Sequence, residues 1–261
     1  MATGRTVNRW VRCYSNGYDL SGYSRMIGPL VVDYTIPDLT AAMSDGVQGT
    51  LPDHPNITPT MLNAVFDNTA TTGLQAAMST PAVRNVMIPV GIRAAPAQGD
   101  PVFAGAFEQL AMKATNEGGP MYAEIPFGGW DVNSLISYQS PWGVLLHAKG
   151  AETAANTAVG IDDNGGASTK GGWMMYQIFT CNAAGTATIT VQDAAVNNDG
   201  GFALLSGATS GAIAFGSIPC AGIVAIGVTA DVRQYLRWQL ALAGGMTTCT
   251  FALAFIRGKG I

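Results

Sequence analysis

Two histidines, His54 and His147, are the residues best suited to acid–base or metal chemistry. Neither has a cysteine, a glutamate or a second histidine at the spacing that zinc ligands adopt. A nucleophilic serine of the Gly-x-Ser-x-Gly type is also missing from the sequence. An enzyme needs several polar groups that converge in a pocket, and no such constellation is visible. The sequence therefore predicts a protein that is not an enzyme and that uses no metal ion and no cofactor.

Two acidic, glycine-containing segments have the composition of calcium loops, Asp162–Gly165 and Asp193–Gly200. Neither has the alternating oxygen ligands and the terminal glutamate of an EF-hand. The glycine pairs Gly165–Gly166 and Gly171–Gly172 lack the Lys-Ser/Thr that completes a phosphate-binding loop. We interpret all of these segments as turns.

Four cysteines are spread along the chain: Cys13, Cys181, Cys220 and Cys249. No two of them are close enough in sequence to form a Cys-x-x-Cys motif. Each lies among apolar residues, which favours small buried side chains. We expect reduced thiols and no disulfides.

The composition is unusual, because 11% of the residues are charged and 48% are hydrophobic. Ordinary soluble domains carry roughly 25% charged residues. A membrane-spanning helix needs roughly 20 consecutive apolar residues, and the most apolar stretches, Ile213–Val228 and Phe251–Ile256, are interrupted or short. The N-terminus also lacks the apolar run of a signal peptide. We therefore expect no membrane association and a surface that is largely buried in a protein assembly.

The first charged side chains form a basic N-terminal arm. Arg5, Arg9 and Arg12 all precede the first acidic residue, Asp19. Such an arm could contact a neighbouring subunit or nucleic acid, or it could be a frayed terminus. We predict a subunit contact.

Period-2 alternation of apolar residues dominates the chain and predicts strands. Pro89 favours an edge position for its strand. Clusters of Gly, Asn, Asp and Pro separate the runs, as in a β-sandwich or barrel. The runs are Leu30–Ile36, Val86–Ile92, Met174–Ile178, Ala187–Val191, Val232–Leu240 and Cys249–Phe255.

Helical patterns are few. Asp38 is a suitable N-cap for a short helix. Phe103–Ala114 fits a helix slightly better than the alternative, a strand alternating at Phe103, Gly105 and Phe107. Ala151–Gly172 is small, polar and glycine-rich, which indicates a long surface loop.

A boundary between residues 131 and 142 predicts two β domains, 1–135 and 141–261.

Segments near both ends of the chain carry a family resemblance. The first runs from Asn16 to Leu30, and the last ones are Asp231–Leu242 and Phe251–Arg257. Between them, the first segment continues through Pro37–Thr40, Leu51–Thr58 and Leu62–Asn68. Their order resembles the opening and closing segments of the tail tube (major tail) proteins of long-tailed bacteriophages.

This resemblance implies a mainly β fold, with a sandwich or barrel domain, a second sandwich-like domain and few short helices. It implies homo-oligomeric rings, typically hexamers, which stack into a tube and contact other tail proteins. Viral DNA would pass through the lumen without specific binding. The protein would belong to the virion tail and would be assembled in the host cytoplasm.

The same resemblance makes Asp33, Asp38 and Asp45 candidates for positions near the lumen or between rings, although they could be ordinary solvated or capping carboxylates. Two other functions stay open. One is a capsid decoration or other virion surface protein. The other is a carbohydrate-binding β-sandwich that presents Trp142, Trp173 or Trp238 to a sugar.

Overall fold

The computed structural model describes residues 8–28, 30–34, 55–58, 61–70, 73–92, 94–116, 118–119, 121–130, 140–153, 160–162 and 166–259. The strands of the first half are β1 (Tyr14–Ser15), β2 (Tyr18–Asp19), β3 (Ser24–Ile27), β4 (Val31–Tyr34), β5 (Pro55–Thr58), β6 (Met61–Val65), β7 (Val83–Pro89), β8 (Pro101–Gln109), β9 (Lys113–Asn116) and β10 (Met121–Trp130). Those of the second half are β11 (Trp142–Glu152), β12 (Ile161–Asp162), β13 (Gly172–Cys181), β14 (Thr186–Ala194), β15 (Ala203–Thr209), β16 (Ile213–Ala214), β17 (Cys220–Ile226), β18 (Tyr235–Ala243) and β19 (Cys249–Arg257).

Helix is rare in the described part of the chain. One short α-helix, α1 (Leu74–Met78), lies between β6 and β7. Single 3-10 turns occur at Asn8–Trp10, Asp199–Gly201 and Phe215–Ser217. The predicted mainly β class with few short helices is therefore confirmed. The helix predicted at Asp38 lies outside the described residues.

A large antiparallel sheet connects both halves of the chain, in the strand order β17-β13-β19-β11-β8-β10-β6-β3. Strand β8 is its junction. One edge of β8 pairs with β7, and the other edge pairs with β11 at its start and with β10 at its end. Two-residue β1 extends this sheet beyond β7. A smaller antiparallel sheet has the order β12-β18-β14-β15, and β4 pairs with β5 separately.

The central strands β11, β13 and β19 of the large sheet are buried on both faces. We call the apolar cluster on one face the first core; it includes Trp173 and Met175 of β13 and Ala252, Ala254 and Ile256 of β19, together with Phe103, Phe107, Val86 and Ile88. We call the cluster on the other face the second core; it includes Met174 and Ile178 of β13 and Phe251, Leu253 and Phe255 of β19. The smaller sheet covers the second core with Ala187, Ile189, Val191, Leu236, Trp238 and Leu240. The two sheets thus form a β-sandwich, and the second core is its interior.

The predicted strands can be compared with the observed strands and with the two cores. The alternating faces Met174–Ile178, Ala187–Val191 and Cys249–Phe255 are confirmed, because each side chain set points into the second core. The predicted strand Val232–Leu240 begins later, at Tyr235, after an isolated bridge between Val232 and Ser168. Of the predicted strand Leu30–Ile36, Val31–Tyr34 forms β4. The first core also draws on both sides of the predicted boundary, and the division into domains 1–135 and 141–261 stays a prediction.

Three local predictions are corrected. The helix favoured over Phe103–Ala114 is wrong, since Pro101–Gln109 is strand β8. The edge position inferred from Pro89 is wrong, because β7 lies between β8 and β1, and Pro89 is merely its last residue. The loop Ala151–Gly172 is wrong in part, because it contains the end of β11 and the short strand β12.

The physical reason for the failed helix prediction lies in the burial of β8. Residues 102–107 are all buried, so the strand has no polar face to produce alternation. Phe103 and Phe107 are four residues apart, a spacing that places them on one face of a helix and equally on one face of a strand. Their rings stack over Gly105 with centroids 5.8 Å apart. Gly105 provides the space, because a Cβ there would lie 2.7 Å from Cζ of Phe107.

Candidate assembly surface

The N-terminal arm is attached to β7 from its first described residues onward. The backbone N–H of Arg12 donates to the carbonyl of Pro89 at 3.0 Å, and that of Gly91 donates to the carbonyl of Trp10 at 3.0 Å. Val11 and Val90 form an isolated bridge. Residues 10–12 therefore lie along the end of β7 instead of fraying, while Arg5 lies outside the described residues.

The two described arginines of the arm differ in what they contact. The guanidinium of Arg12 is partly buried and donates to the carbonyls of Arg9 and Val11 at 2.8 and 3.1 Å. The guanidinium of Arg9 is exposed and lies 4.7 Å from the centre of the Trp10 ring. Arg12 thus stabilises the arm itself, whereas Arg9 is presented to the surroundings. Their role in a subunit contact stays a prediction.

The three candidate aspartates are not brought together by the described structure. Asp33 lies on β4, opposite Asn56 of β5. Asp38 and Asp45 lie outside the described residues, as does His54. Placement near a lumen or between rings stays a prediction for all three aspartates.

His147 is a packing residue of the second core. Its ring stacks on Phe251 at 4.2 Å between centroids and meets the edge of Trp238 at 4.7 Å. Nδ1 donates to the Phe251 carbonyl, which can only accept, over 3.1 Å. Nε2 lies 3.0 Å from the Glu152 carboxylate, whose side chain is 37% exposed. Both ring nitrogens are thus occupied by internal partners, an arrangement that positions strands β11 and β19.

A second polar cluster lies at the edge of the sandwich, around Arg237. This side chain is only 6% exposed, and its Nε donates to Oε1 of Gln192 at 2.7 Å. Its Nη1 pairs with the carboxylate of Asp199, and the guanidinium lies 4.4 Å from the centre of the Phe202 ring. The alternating pattern of β18 does not distinguish this arginine from an exposed one. Its partners come from a strand and a turn about 40 residues earlier in the chain.

Arg257, at the end of β19, is buried as well. Its two terminal nitrogens donate to the carbonyls of Val232 and Arg233 at 2.8 and 2.9 Å. Asp193 is likewise buried and accepts from the backbone N–H of Arg233 at 2.8 Å. Arg257 and Asp193 thus bind the backbone of the segment before β18. Both charged groups are buried, so they contribute little charge to the surface.

A charge pair links the N-terminal region to strand β11. Nζ of Lys149 on β11 donates to Oδ2 of Asp19 on β2 at 2.6 Å. Burial raises the pKa of Asp19, but hydrogen bonds from Lys149 and Ser21 more than offset this effect, so the pKa is lowered. The Lys149 ammonium also lies 4.8 Å from the centre of the Phe179 ring. The two charges of this pair therefore bind each other within the protein.

Large apolar side chains remain exposed at the ends and edges of the sheets. Val83 and Leu110 lie at the same end of the β7–β8 pair, because Val83 is opposite Glu108. Leu204 lies on β15, an edge strand of the smaller sheet. The exposed set is Val65, Val83, Ile92, Leu110, Met121, Trp142, Val196, Leu204, Phe215 and Val228.

Two of the three candidate tryptophans for sugar binding are buried. Trp173 belongs to the first core and Trp238 to the second. Trp142 is 39% exposed, but its ring packs edge-on against Phe103 at 5.2 Å. A sugar platform would therefore have to be built on Trp142 alone.

Ligand-binding features are sparse in the described parts of the chain. Within them, no group of three or more His, Cys, Asp or Glu side chains could hold a metal ion. A surface hollow of about 290 Å³ lies beside the Ser168–Val232 bridge.

No described helix is long and apolar enough to cross a bilayer.

The likeness of this chain to known proteins is structural and weak. No protein family matches this chain, and neither does any curated protein. Among solved structures, the chain is similar to the Dit (gp 19.1) protein of phage SPP1, described as a paradigm of the hub adsorption apparatus in phages that infect Gram-positive hosts. The TM-score is 0.32 at 12% identity, over 93% of this chain and 98% of that one.

Proposed function

We propose that this chain is a structural virion protein that self-assembles into stacked rings and so forms the tube of a phage tail. The observation that carries the proposal is the shortage of surface charge. Only 11% of the residues are charged, and several of these are paired with each other within the protein, as in Asp19–Lys149 and Arg237–Asp199. Subunit contacts would cover the apolar surface that remains.

The sequence and the fold support the same proposal. Segments at both ends of the chain resemble tail tube proteins, and the described fold is mainly β. A ring of β subunits can pair or cover its strand edges at each interface, which removes a source of uncontrolled aggregation. The partners would be other copies of the chain, in rings that we expect to be hexameric, and other tail proteins.

The remaining parts of the proposal concern chemistry and location. The net charge of −4 suits a conduit for DNA, because a strongly cationic lumen would hold the phosphates back. The protein would therefore pass viral DNA without binding it specifically. We propose that it has no enzymatic activity, uses no cofactor, does not enter membranes, and is assembled into the virion tail in the host cytoplasm.

Electron microscopy of the purified full chain tests the proposal. We expect rings or tubes whose formation depends on exposed apolar side chains. Val83→Lys and Leu204→Lys should therefore reduce assembly, while Thr115→Lys, on an exposed polar strand, is the matched control. Circular dichroism of each variant establishes that the fold is intact.

Three outcomes would contradict the proposal. A protein that stays strictly monomeric at high concentration, also in the presence of tail proteins, is not a tube subunit. Co-sedimentation with empty phage heads but not with tails would indicate a capsid decoration protein instead. Specific retention on immobilised glycans, abolished by Trp142→Ala, would indicate carbohydrate binding.

A further inference from the structure

A β-bulge in β13 brings two cysteines together. Along β13 and β19, Ile178 is opposite Phe251, but the next pair is Thr180 and Thr250, so that Phe179 is an extra residue. The following pair is Cys181 and Cys249, directly opposite each other. The two thiols are therefore cross-strand neighbours at the end of the strand pair.

The bulge also decides which face Cys181 occupies. With strict alternation, Cys181 would share the face of Trp173 and Met175, which point into the first core. After the extra residue, Cys181 packs against the second core, the cluster that contains Cys249. Both side chains thus point to the same side of the sheet.

The distance between directly opposite residues suits a covalent link. Opposite residues in antiparallel strands have Cα atoms roughly 4.5 or 5.5 Å apart. Both values fall within the range of roughly 4.4–6.8 Å that disulfides span. Each thiol is close enough to the other to affect its pKa. Cys181 is partly exposed, which gives a soluble reagent access to one member of the pair.

We propose that Cys181 and Cys249 are a modification site that small-molecule disulfides convert into a cross-strand disulfide. The Cys181 thiolate attacks one sulfur of the reagent, forms a mixed disulfide and releases one reagent thiol. The Cys249 thiolate then attacks Sγ of Cys181, which closes the protein disulfide and releases the second reagent thiol. Two protein thiols are oxidised and the reagent disulfide is reduced to two thiols, so that electrons and protons balance.

The surroundings of Cys181 and Cys249 set the rate at which the disulfide forms. Burial raises the pKa of both thiols, and for Cys249 the contact with Cys181 raises it further. Because the thiolate is the nucleophile, the rate should rise about tenfold for each pH unit below these pKa values. The thiols would stay reduced in a reducing compartment, as the sequence predicts, and the link would form slowly after transfer to an oxidising one.

The test is oxidation of the reduced, folded full chain with oxidised glutathione at several pH values. The chain has four free cysteines, and two of them should be lost to an Ellman count. Peptide mapping should find one link, between Cys181 and Cys249. Cys220→Ala is the matched control and should retain this link, because Cys220 packs against the same core without lying opposite either thiol. Cys181→Ala should abolish the link.

Peptide mapping of the oxidised chain without substitutions tests the Cys181–Cys249 link even if a variant does not fold. Four free thiols after prolonged incubation above pH 8, with the fold intact by circular dichroism, would overturn the proposal. A link that involves Cys220, or glutathione that remains attached to Cys181, would overturn it as well. The result is independent of whether the chain forms rings.

Discussion

The backbone N–H of Gly17 donates a hydrogen bond of 2.7 Å to Oε1 of Gln177, a residue 160 positions further along the chain. The amide nitrogen of Gln177 donates in turn to the carbonyl of Asn85 at 2.8 Å. Asn85 is bonded through its N–H to Oδ1 of Asn16 at 2.9 Å. A single buried side chain thus joins the β1–β2 turn, β7 and β13 around the first core. The contact is tight, because a Cβ on Gly17 would lie 2.4 Å from the backbone nitrogen of Cys220.

Replacing Gln177 by alanine should destabilise the protein. Gln177 is fully buried, so the N–H of Gly17 would lose its acceptor, whereas the carbonyl of Asn85 would keep the backbone N–H of Asn16 as a donor. We expect a loss of roughly 1–3 kcal/mol from the unsatisfied N–H, measured by urea denaturation. Gln75→Ala on the exposed side of α1 is the control and should have little effect. Equal stability of the two variants would contradict the role of Gln177.

Gly105→Ala should disturb the first core. The new methyl group would lie 2.7 Å from Cζ of Phe107, and the ring has no free space because Phe103 stacks on it. Overpacking of this kind costs about 1–3 kcal/mol. Thermal denaturation should show the loss, with Gly216→Ala as control, since a Cβ there meets nothing within 4 Å. Unchanged stability of Gly105→Ala would show that the ring can move freely.

The Asp19–Lys149 pair should make stability depend on acid pH. The pKa of Asp19 is lowered in the folded protein, so its stabilising effect is complete above the unfolded pKa of about 3.9 and is lost as pH falls through the folded pKa. Lys149→Met should remove about 1 kcal/mol at neutral pH and reduce the loss of stability below about pH 4. Urea denaturation between neutral and acid pH measures both effects.

The matched control for this pair is Lys170→Met, which removes an exposed lysine of the segment before β13. It should leave the pH dependence of the unfolding free energy unchanged. If Lys149→Met and the unmodified protein lose stability in parallel below pH 4, the pair is not the source of the acid sensitivity.

Arg237→Met should destabilise the sandwich edge, but only moderately. The variant leaves Oε1 of Gln192 without its donor, whereas the carboxylate of Asp199 is 64% exposed and can be solvated. We therefore expect a loss of about 1–2 kcal/mol in chemical denaturation, less than for a fully buried ion pair. Arg233→Met, four residues earlier and exposed, should have no comparable effect.

The strands with one clear apolar face could be predicted from the sequence. Ala187, Ile189 and Val191 alternate with threonines, and the structure places all three in the second core. Strand β8 could not be predicted in this way, because it is apolar on both faces and its Phe103–Phe107 spacing also fits a helix. The threonine face of β14 makes its period unambiguous.

Polar residues inside the fold were the harder part to predict. Gln177 and Arg237 lie in runs that fit exposed positions equally well, and their partners are 38 to 160 residues away. The bulge at Phe179 is a further case, since no glycine or proline marks it and only the pairing with β19 shows it. For the assembly surface, Arg9 and Arg12 were both candidates from the sequence. In the structure, Arg12 donates to the backbone of its own arm, whereas the Arg9 side chain is exposed.

The central strands β11, β13 and β19 contribute side chains to both cores, and this has a consequence for cooperativity. Opening the sandwich would uncover Phe251 and Phe255, while loss of the first core would uncover Trp173 and Ile256 on the same strands. Neither core can therefore melt while the other keeps its full set of neighbours. We expect a single unfolding transition, in which a tryptophan signal and a far-ultraviolet backbone signal change together.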